Sequence, residues 1–202
     1  RTAIAFSGQE SDRIVVSSAE PGDGKTTVVA NLAVTYARAG KRTLLIDADM
    51  RRPGLTKLVE CQGQHGLTQL LQGSDPVAEM ASNLVLPTGI DQLDVLPSGP
   101  RQANPAELLA GPRLPELLGW AESVYDQIVI DAPPSAAAVD ASIIGAIADG
   151  LILVVRPEKN KRQAVVRAVD GFRGMGLQPR GVVVNGLDAE NHGYYPYDES
   201  YG

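Results

Sequence analysis

Cysteine, histidine, aromatic side chains and positive charge are all scarce in this 202-residue chain. A single cysteine, Cys61, can close no internal disulfide and build no all-cysteine metal site, which excludes a disulfide scaffold and a zinc ribbon. The two histidines, His65 and His192, lie far apart in sequence and argue against a histidine metal site. Lys and Arg number 18 against 24 Asp and Glu, so the net charge of -6 gives no bulk attraction to nucleic acid or anionic lipid. No uncharged apolar run approaches the roughly 18–20 residues that span a bilayer. The chain opens Arg1-Thr2-Ala3-Ile4 with neither a start methionine nor a secretory segment, and is expected to be a piece of something longer.

What the sequence does hold is a globular balance, 44% hydrophobic and 21% charged. Short aliphatic runs alternate with longer helical patterns, which predicts an α/β fold with a mostly parallel central sheet and helices on both faces. The expected strands are 13–18, 43–46, 93–96, 127–130, 151–155 and 181–184, their unbroken Val/Ile/Leu runs pointing to burial on both sides. Lys25 to Ala39 predicts a helix, apolar nearly all round and ended by Gly40. Asn104-Pro105 predicts a helix start with Asn as cap and Pro in the first turn. Pro112 and Pro115 divide the stretch to Ser123 into two pieces. A further helix is expected over 160–175, with Val165, Val169 and Phe172 on one face. The expected organisation is a domain over residues 1–186 and a flexible tyrosine-rich tail over 187–202.

The segment Ala19-Glu20-Pro21-Gly22-Asp23-Gly24-Lys25-Thr26-Thr27 lies between a predicted strand and a predicted helix. It is a phosphate-binding loop with Ala19 in place of the first Gly. Gly22 and Gly24 let backbone N–H groups turn inward, and the helix N-terminus adds its positive dipole end. Lys25 is suited to neutralising β- and γ-phosphate charge, and the Thr26 hydroxyl to ligating Mg²⁺. Two strands end in acids. Asp47 and Asp49, at i and i+2, are expected on one side of an extended chain, converging on a metal or hydroxyl. Asp131 stands where a carboxylate orients Mg²⁺ and its waters. In doubly wound sheets ligands gather at the carboxyl ends of strands, where all these residues fall.

Four of the six tyrosines, Tyr194, Tyr195, Tyr197 and Tyr201, fall in the last nine residues beside Gly193, Pro196, Asp198 and Glu199. An acceptor tyrosine must leave the core and lie extended in a cleft, and such neighbours suit it; an aromatic tail packed on the domain or a partner is the other reading.

The combination Ser18 to Thr26, Asp47-Ala48-Asp49-Met50-Arg51-Arg52-Pro53 and Asp131-Ala132-Pro133-Pro134 resembles the bacterial tyrosine kinases of capsule and exopolysaccharide synthesis, in the deviant-Walker group of P-loop proteins. The stretches Leu93 to Gly99 and Asn104 to Leu109 are similar to that family too. Glu20 stands where the partition ATPases of the same group carry their trans-acting lysine. The resemblance implies ATP and Mg²⁺ as cofactors, with the backbone of Gly22, Asp23, Gly24, Lys25, Thr26 and Thr27 on the phosphates and Asn185 on adenine. It implies a metal site of Thr26, Asp47 and Asp131, and catalysis by Lys25 with Asp49 or Asp47 as the base. Tyr194, Tyr195, Tyr197 and Tyr201 become the autophosphorylated cluster. The implied partners are a membrane adaptor or chain-length-determinant domain, fused or separate, further copies of the chain in a ring, and a cognate tyrosine phosphatase. Its implied place is the inner face of the cell membrane. The ring-forming Glu-x-x-Arg-x-x-Arg motif is matched at most at Arg1. Three alternatives stay open: a Min/Par-like ATPase, a small-molecule kinase or synthetase on the same scaffold, and a nucleotide-binding regulatory subunit.

Overall fold

The computed structural model describes residues 12–135 and 139–187. In chain order the elements are β1 (Asp12–Ser18), α1 (Lys25–Arg38), β2 (Thr43–Asp47), α2 (Gly54–Leu58), α3 (Leu67–Gln72), α4 (Val77–Leu84), β3 (Leu86–Pro87), β4 (Leu93–Leu96), α5 (Pro105–Leu109), α6 (Arg113–Val124), β5 (Gln127–Asp131), α7 (Asp140–Gly145), β6 (Gly150–Val155), α8 (Arg162–Gly174) and β7 (Gly181–Val184). They form one seven-stranded sheet in the order β3-β4-β2-β5-β1-β6-β7. Every pairing is parallel except β3 with β4. Helices cover both faces, as the sequence predicts.

Successive strand side chains go to opposite faces, so each central strand feeds two cores. Val15, Leu44, Ile46, Ile128, Ile130, Leu151 and Leu153 pack on one side with buried residues of α3, α6 and α8, Phe172 among them. Ile14, Val16, Leu45, Val129, Ile152 and Val154 pack on the other against Val29, Ala33 and Ala37 of α1 and Leu55 of α2. Each face of the sheet is thus sealed by aliphatic contact, the reason these runs show no alternation.

The departures from expectation are local. Helix α1 ends at Arg38, with Ala39 as cap and Gly40 at φ 83°. Its outward stripe, Thr27, Asn31 and Thr35, is exposed, so it is apolar on one side rather than all round. Asn104 makes no side-chain cap; its amide donates to Glu107 Oε2 at 3.2 Å. Pro115 lies inside the first turn of α6, where a missing N–H costs nothing, and so breaks no helix. β7 is an edge strand, with Val182 and Val184 about half exposed, not a strand buried on both sides.

At the carboxyl ends of β1, β2 and β5 the topology brings three loops together. The register sets Asp47 directly beside Asp131, and Val16 beside Asp131 on the other flank.

Candidate nucleotide and phosphoryl-transfer site

The loop between β1 and α1 turns on two glycines in the left-handed region, Gly22 at φ 83° and Gly24 at φ 87°. A side chain at Gly24 would be strained there and would also run into the Asn185 amide. The first-turn amides of Lys25, Thr26 and Thr27 have no intrahelical acceptor and, with the helix dipole, form an anion-binding end. We expect Gly24→Ala to combine about 1–2 kcal/mol of backbone strain with displacement of Asn185. ADP affinity should fall at least about ten-fold, read by titration with a fluorescent nucleotide.

The loop is braced from behind by residues outside the motif. Asp23, wholly buried, accepts from Glu20 N at 2.8 Å, Lys159 Nζ at 3.1 Å and Asn160 Nδ2 at 2.9 Å. Asn160 Nδ2 also donates to Glu20 Oε2 at 2.7 Å, and its Oδ1 accepts from Arg156 N at 2.6 Å. Lys159 Nζ donates to the Pro21 carbonyl as well. Asn185 Nδ2 donates to the Asp23 carbonyl at 2.9 Å. The side chains of Asp23 and Asn185 therefore shape the loop. Lys159 and Asn160 escaped the sequence reading although they follow the end of β6, a strand terminus of the kind that gathers ligands.

Lys25, only 7% exposed, forms a close ion pair with Asp131 Oδ1 and lies 3.6 Å from Asp49 Oδ2. Thr26 Oγ1 donates to Asp131 Oδ2 at 2.9 Å. The two acids of β2 part company. Asp47 Oδ2 accepts from both Thr56 N and Thr56 Oγ1 at 2.7 Å, and Asp47 Oδ1 accepts from Asp49 N at 3.2 Å. Thr56 Oγ1 in turn accepts from Ser98 N at 2.9 Å. Asp47 thus ties α2 and the end of β4 to the sheet. Because β2 ends at Asp47, the strand rule does not carry through to Asp49, which turns out to the cleft; only Asp49 of the two contacts Lys25.

The cleft has a volume of about 460 Å³ and is lined by Gly22, Gly24, Lys25, Thr26, Asp49, Arg51 and Arg52, together with Ser18, Pro133 and Pro134. Arg51 is held by Asp140, through Nε at 2.8 Å and Nη2 at 3.2 Å. Tyr194, Tyr195, Tyr197 and Tyr201 lie outside the described residues, as does most of the expected tail. Thr27 is exposed on the first turn of α1.

Burial, and then the adjacent Asp131 charge, push the Asp47 carboxyl up to about 7, against the Thr56 hydrogen bonds and the Lys25 charge. Burial also raises Asp131, opposed chiefly by Lys25. A folded-state value above the ordinary 3.8 means that the folded chain holds more protons between about pH 4 and 7. Stability from this group is therefore present in full below pH 4 and lost as pH rises through 7. The unfolding free energy of the nucleotide-free protein, read from urea titrations, is expected to fall across this window, by at most about 1.4 kcal/mol per pH unit from one group. Asp47→Asn should flatten the slope.

The oxygen donors suit a hard cation. Among the described residues no cluster of three or more His, Cys, Asp or Glu side chains could hold a metal unaided. Thr26 and Asp131 offer two oxygen donors side by side, and Mg²⁺ is a hard cation that keeps waters and relies on one or two protein ligands together with substrate phosphates. Among the same residues no helix is long and apolar enough to cross a membrane.

An AAA domain family model matches residues 11–171. Tyrosine-protein kinase YwqD of Bacillus subtilis is 37% identical over 201 residues, covering 98% of this chain and 82% of its own length. Tyrosine-protein kinase wzc of Salmonella typhimurium is 35% identical over 98% of this chain, which spans only 28% of that longer protein. The kinase domain of Escherichia coli tyrosine kinase ETK superposes with a TM-score of 0.83 at 31% identity, over 94% of this chain and 72% of that one. The septum site-determining protein MinD of Pyrococcus horikoshii, complexed with Mg-ADP, gives 0.68 at 25% identity, over 86% and 70%.

Proposed function

Since the chain belongs to the bacterial tyrosine-protein kinases, we propose that it transfers the γ-phosphoryl group of ATP to tyrosine hydroxyls, first among them its own Tyr194, Tyr195, Tyr197 and Tyr201. The observation that carries this is the meeting of Lys25, Thr26 and Asp49 beside the glycine loop in one cleft, with the buried Asp131 paired to Lys25 and Thr26 behind them.

The backbone of Gly22 to Thr27 binds the phosphates, and Lys25 balances the charge that builds up between the β and γ groups. Asp49, on the cleft wall, accepts the acceptor's proton as the phenolic oxygen bonds to the γ-phosphorus and the bond to the β–γ bridging oxygen breaks, releasing ADP. A phenol near pKa 10 is a weak nucleophile at neutral pH, so a carboxylate within hydrogen-bond reach is what the step requires. Thr26 and Asp131 would hold Mg²⁺ directly or through water, and the ion would supply charge neutralisation on the phosphates. Asp131 also keeps Thr26 and Lys25 oriented, and Asp47 keeps α2 and the segment bearing Asp49 in register. Asn185 holds the loop at the Asp23 carbonyl, beside which adenine would lie.

Glu20 is turned inward to Asn160, so the position at which partition ATPases reach a partner's nucleotide is spent on bracing its own loop. This favours the kinase over a Min/Par-like switch. Transfer in trans, a ring of copies, a membrane adaptor, a cognate phosphatase and a role in capsule or exopolysaccharide export belong to the same proposal. Incubation with ATP and Mg²⁺ followed by phosphotyrosine mapping of the C-terminal peptide tests it. Signal lost in both Lys25→Met and the four-tyrosine-to-Phe variant supports self-phosphorylation; ATP hydrolysis without phosphotyrosine refutes it.

A further inference from the structure

The cations of the cleft are not equivalent. Lys25 is paired with Asp131 and faces Asp49, and Arg51 is clamped by the buried Asp140. Arg52 is the remaining cation on the wall; it is exposed, and its guanidinium has no carboxylate partner among the described residues. Its backbone is fixed relative to the reacting centre. Arg52 N donates to Asp49 Oδ1 at 3.0 Å and approaches the Asp49 carbonyl at 3.1 Å, closing a turn over residues 49–52. The carboxylate that faces Lys25 through one oxygen therefore holds the start of Arg52 through the other. An acceptor whose hydroxyl sits at Asp49 presents the residues flanking its tyrosine to this rim.

The chain's own acceptor segment has the complementary charge. Residues 188–202 contain Asp188, Glu190, Asp198 and Glu199 and no Lys or Arg, and Asp198-Glu199 stand directly between Tyr197 and Tyr201. An unpaired guanidinium at the mouth of a cleft, in a chain of net charge -6, would attract such a segment and repel a basic one. We propose that Arg52 is the specificity-determining residue for the acceptor, selecting tyrosines with carboxylates close on their C-terminal side. This rests on the kinase reading above. Because the pair would form at a solvent-exposed rim, its effect is a preference of a few fold and is screened by salt.

The test uses the full chain with Tyr194, Tyr195, Tyr197 and Tyr201 changed to Phe, so that it cannot phosphorylate its own tail. Its acceptors are three peptides covering residues 193–202: the native one, one with Asp198→Asn and Glu199→Gln, and one with both positions Lys. The native peptide should be preferred over the amide peptide about three- to five-fold in kcat/KM, mainly through KM. Arg52→Gln should abolish that preference and Arg52→Glu should favour the lysine peptide, while 0.5 M salt levels all three. A preference that survives Arg52→Gln overturns the proposal. So does an increase in KM for ATP matching the loss on peptide, since Arg52 would then serve the nucleotide phosphates. If the parent enzyme phosphorylates none of the peptides, the kinase reading itself fails.

Discussion

Replacing Lys25 with Met is expected to lower phosphotyrosine formation by about a thousand-fold or more at saturating ATP, the size of effect seen when a transition-state charge partner is removed in phosphoryl transfer. The ammonium has two tasks. It counters charge on the transferring phosphoryl group, and it is the cation in direct contact with both Asp131 and Asp49. Without it, Asp131 is left with an acid on each side, Asp47 on the next strand and Asp49 on the turn, and no cation in contact. Leaving a buried carboxylate unpaired costs about 3–5 kcal/mol when the group stays ionised. Burial already raises Asp131 and Asp47 above ordinary carboxyl values, so protonation offers relief. The Met variant should accordingly stay folded and gain stability relative to the parent as pH falls from 8 to 5. Turnover and thermal melts on the same sample at the two pH values separate the effects. Lys25→Arg should not restore turnover, because a planar guanidinium does not replace a compact ammonium in a site 7% exposed. Recovery with Arg above a tenth of parental rate would mean that charge alone suffices.

Legibility from sequence followed the physics of each element. The central strands of aliphatic run were readable because burial on both faces leaves little room for polar residues, as in Ile128-Val129-Ile130, whereas β7 shows the same kind of run although it lies half exposed at the sheet edge. Among the described residues the strand missed is β3, two residues long and paired antiparallel with β4 at the sheet edge. Helices α2, α3, α4 and α7, of five to eight residues, were also missed: they span at most about two turns and are fixed by tertiary contact, Leu55 and Thr56 being the buried pair in α2 and Val77 and Ala81 that in α4. The loop glycines, Lys25, Thr26 and Asp131 were legible because phosphate chemistry demands those residue types at that spacing. The division of labour between Asp47 and Asp49 was not. It depends on Thr56, nine residues downstream, entering beneath β2, and on the strand ending at Asp47 itself. Likewise Asp23 reads as a loop residue facing the nucleotide until Lys159 and Asn160 are seen to occupy its carboxylate from a segment more than 130 residues away.

That division gives the second large effect. Asp49→Asn is expected to reduce kcat by about 10²–10⁴, the usual contribution of a positioned general base. ADP affinity and melting temperature should stay near parental values, since the amide oxygen can still accept from Arg52 N. Asp47→Asn should behave in the opposite way. An amide cannot accept from Asp49 N, Thr56 N and Thr56 Oγ1 together in the arrangement the carboxylate allows, so a buried donor is left short at a cost of about 1–3 kcal/mol. Against that loss, the proton-linked penalty that Asp47 carries above pH 7 disappears, so the net stability change should be smaller at pH 8 than at pH 5. Its kcat should exceed that of Asp49→Asn by at least about ten-fold, because Asp47 acts on the reaction through Thr56 and the 49–52 turn rather than by touching the acceptor. Solvent deuterium sensitivity of the chemical step, measured in single turnovers, adds a readout independent of folding. A proton passed to Asp49 in the transition state predicts an isotope effect in the parent and in Asp47→Asn that changes in Asp49→Asn. Equal rates for the two Asn variants, or a slower Asp47→Asn with unchanged stability, would move the base to Asp47 and require the Thr56 hydrogen bonds to open during the reaction.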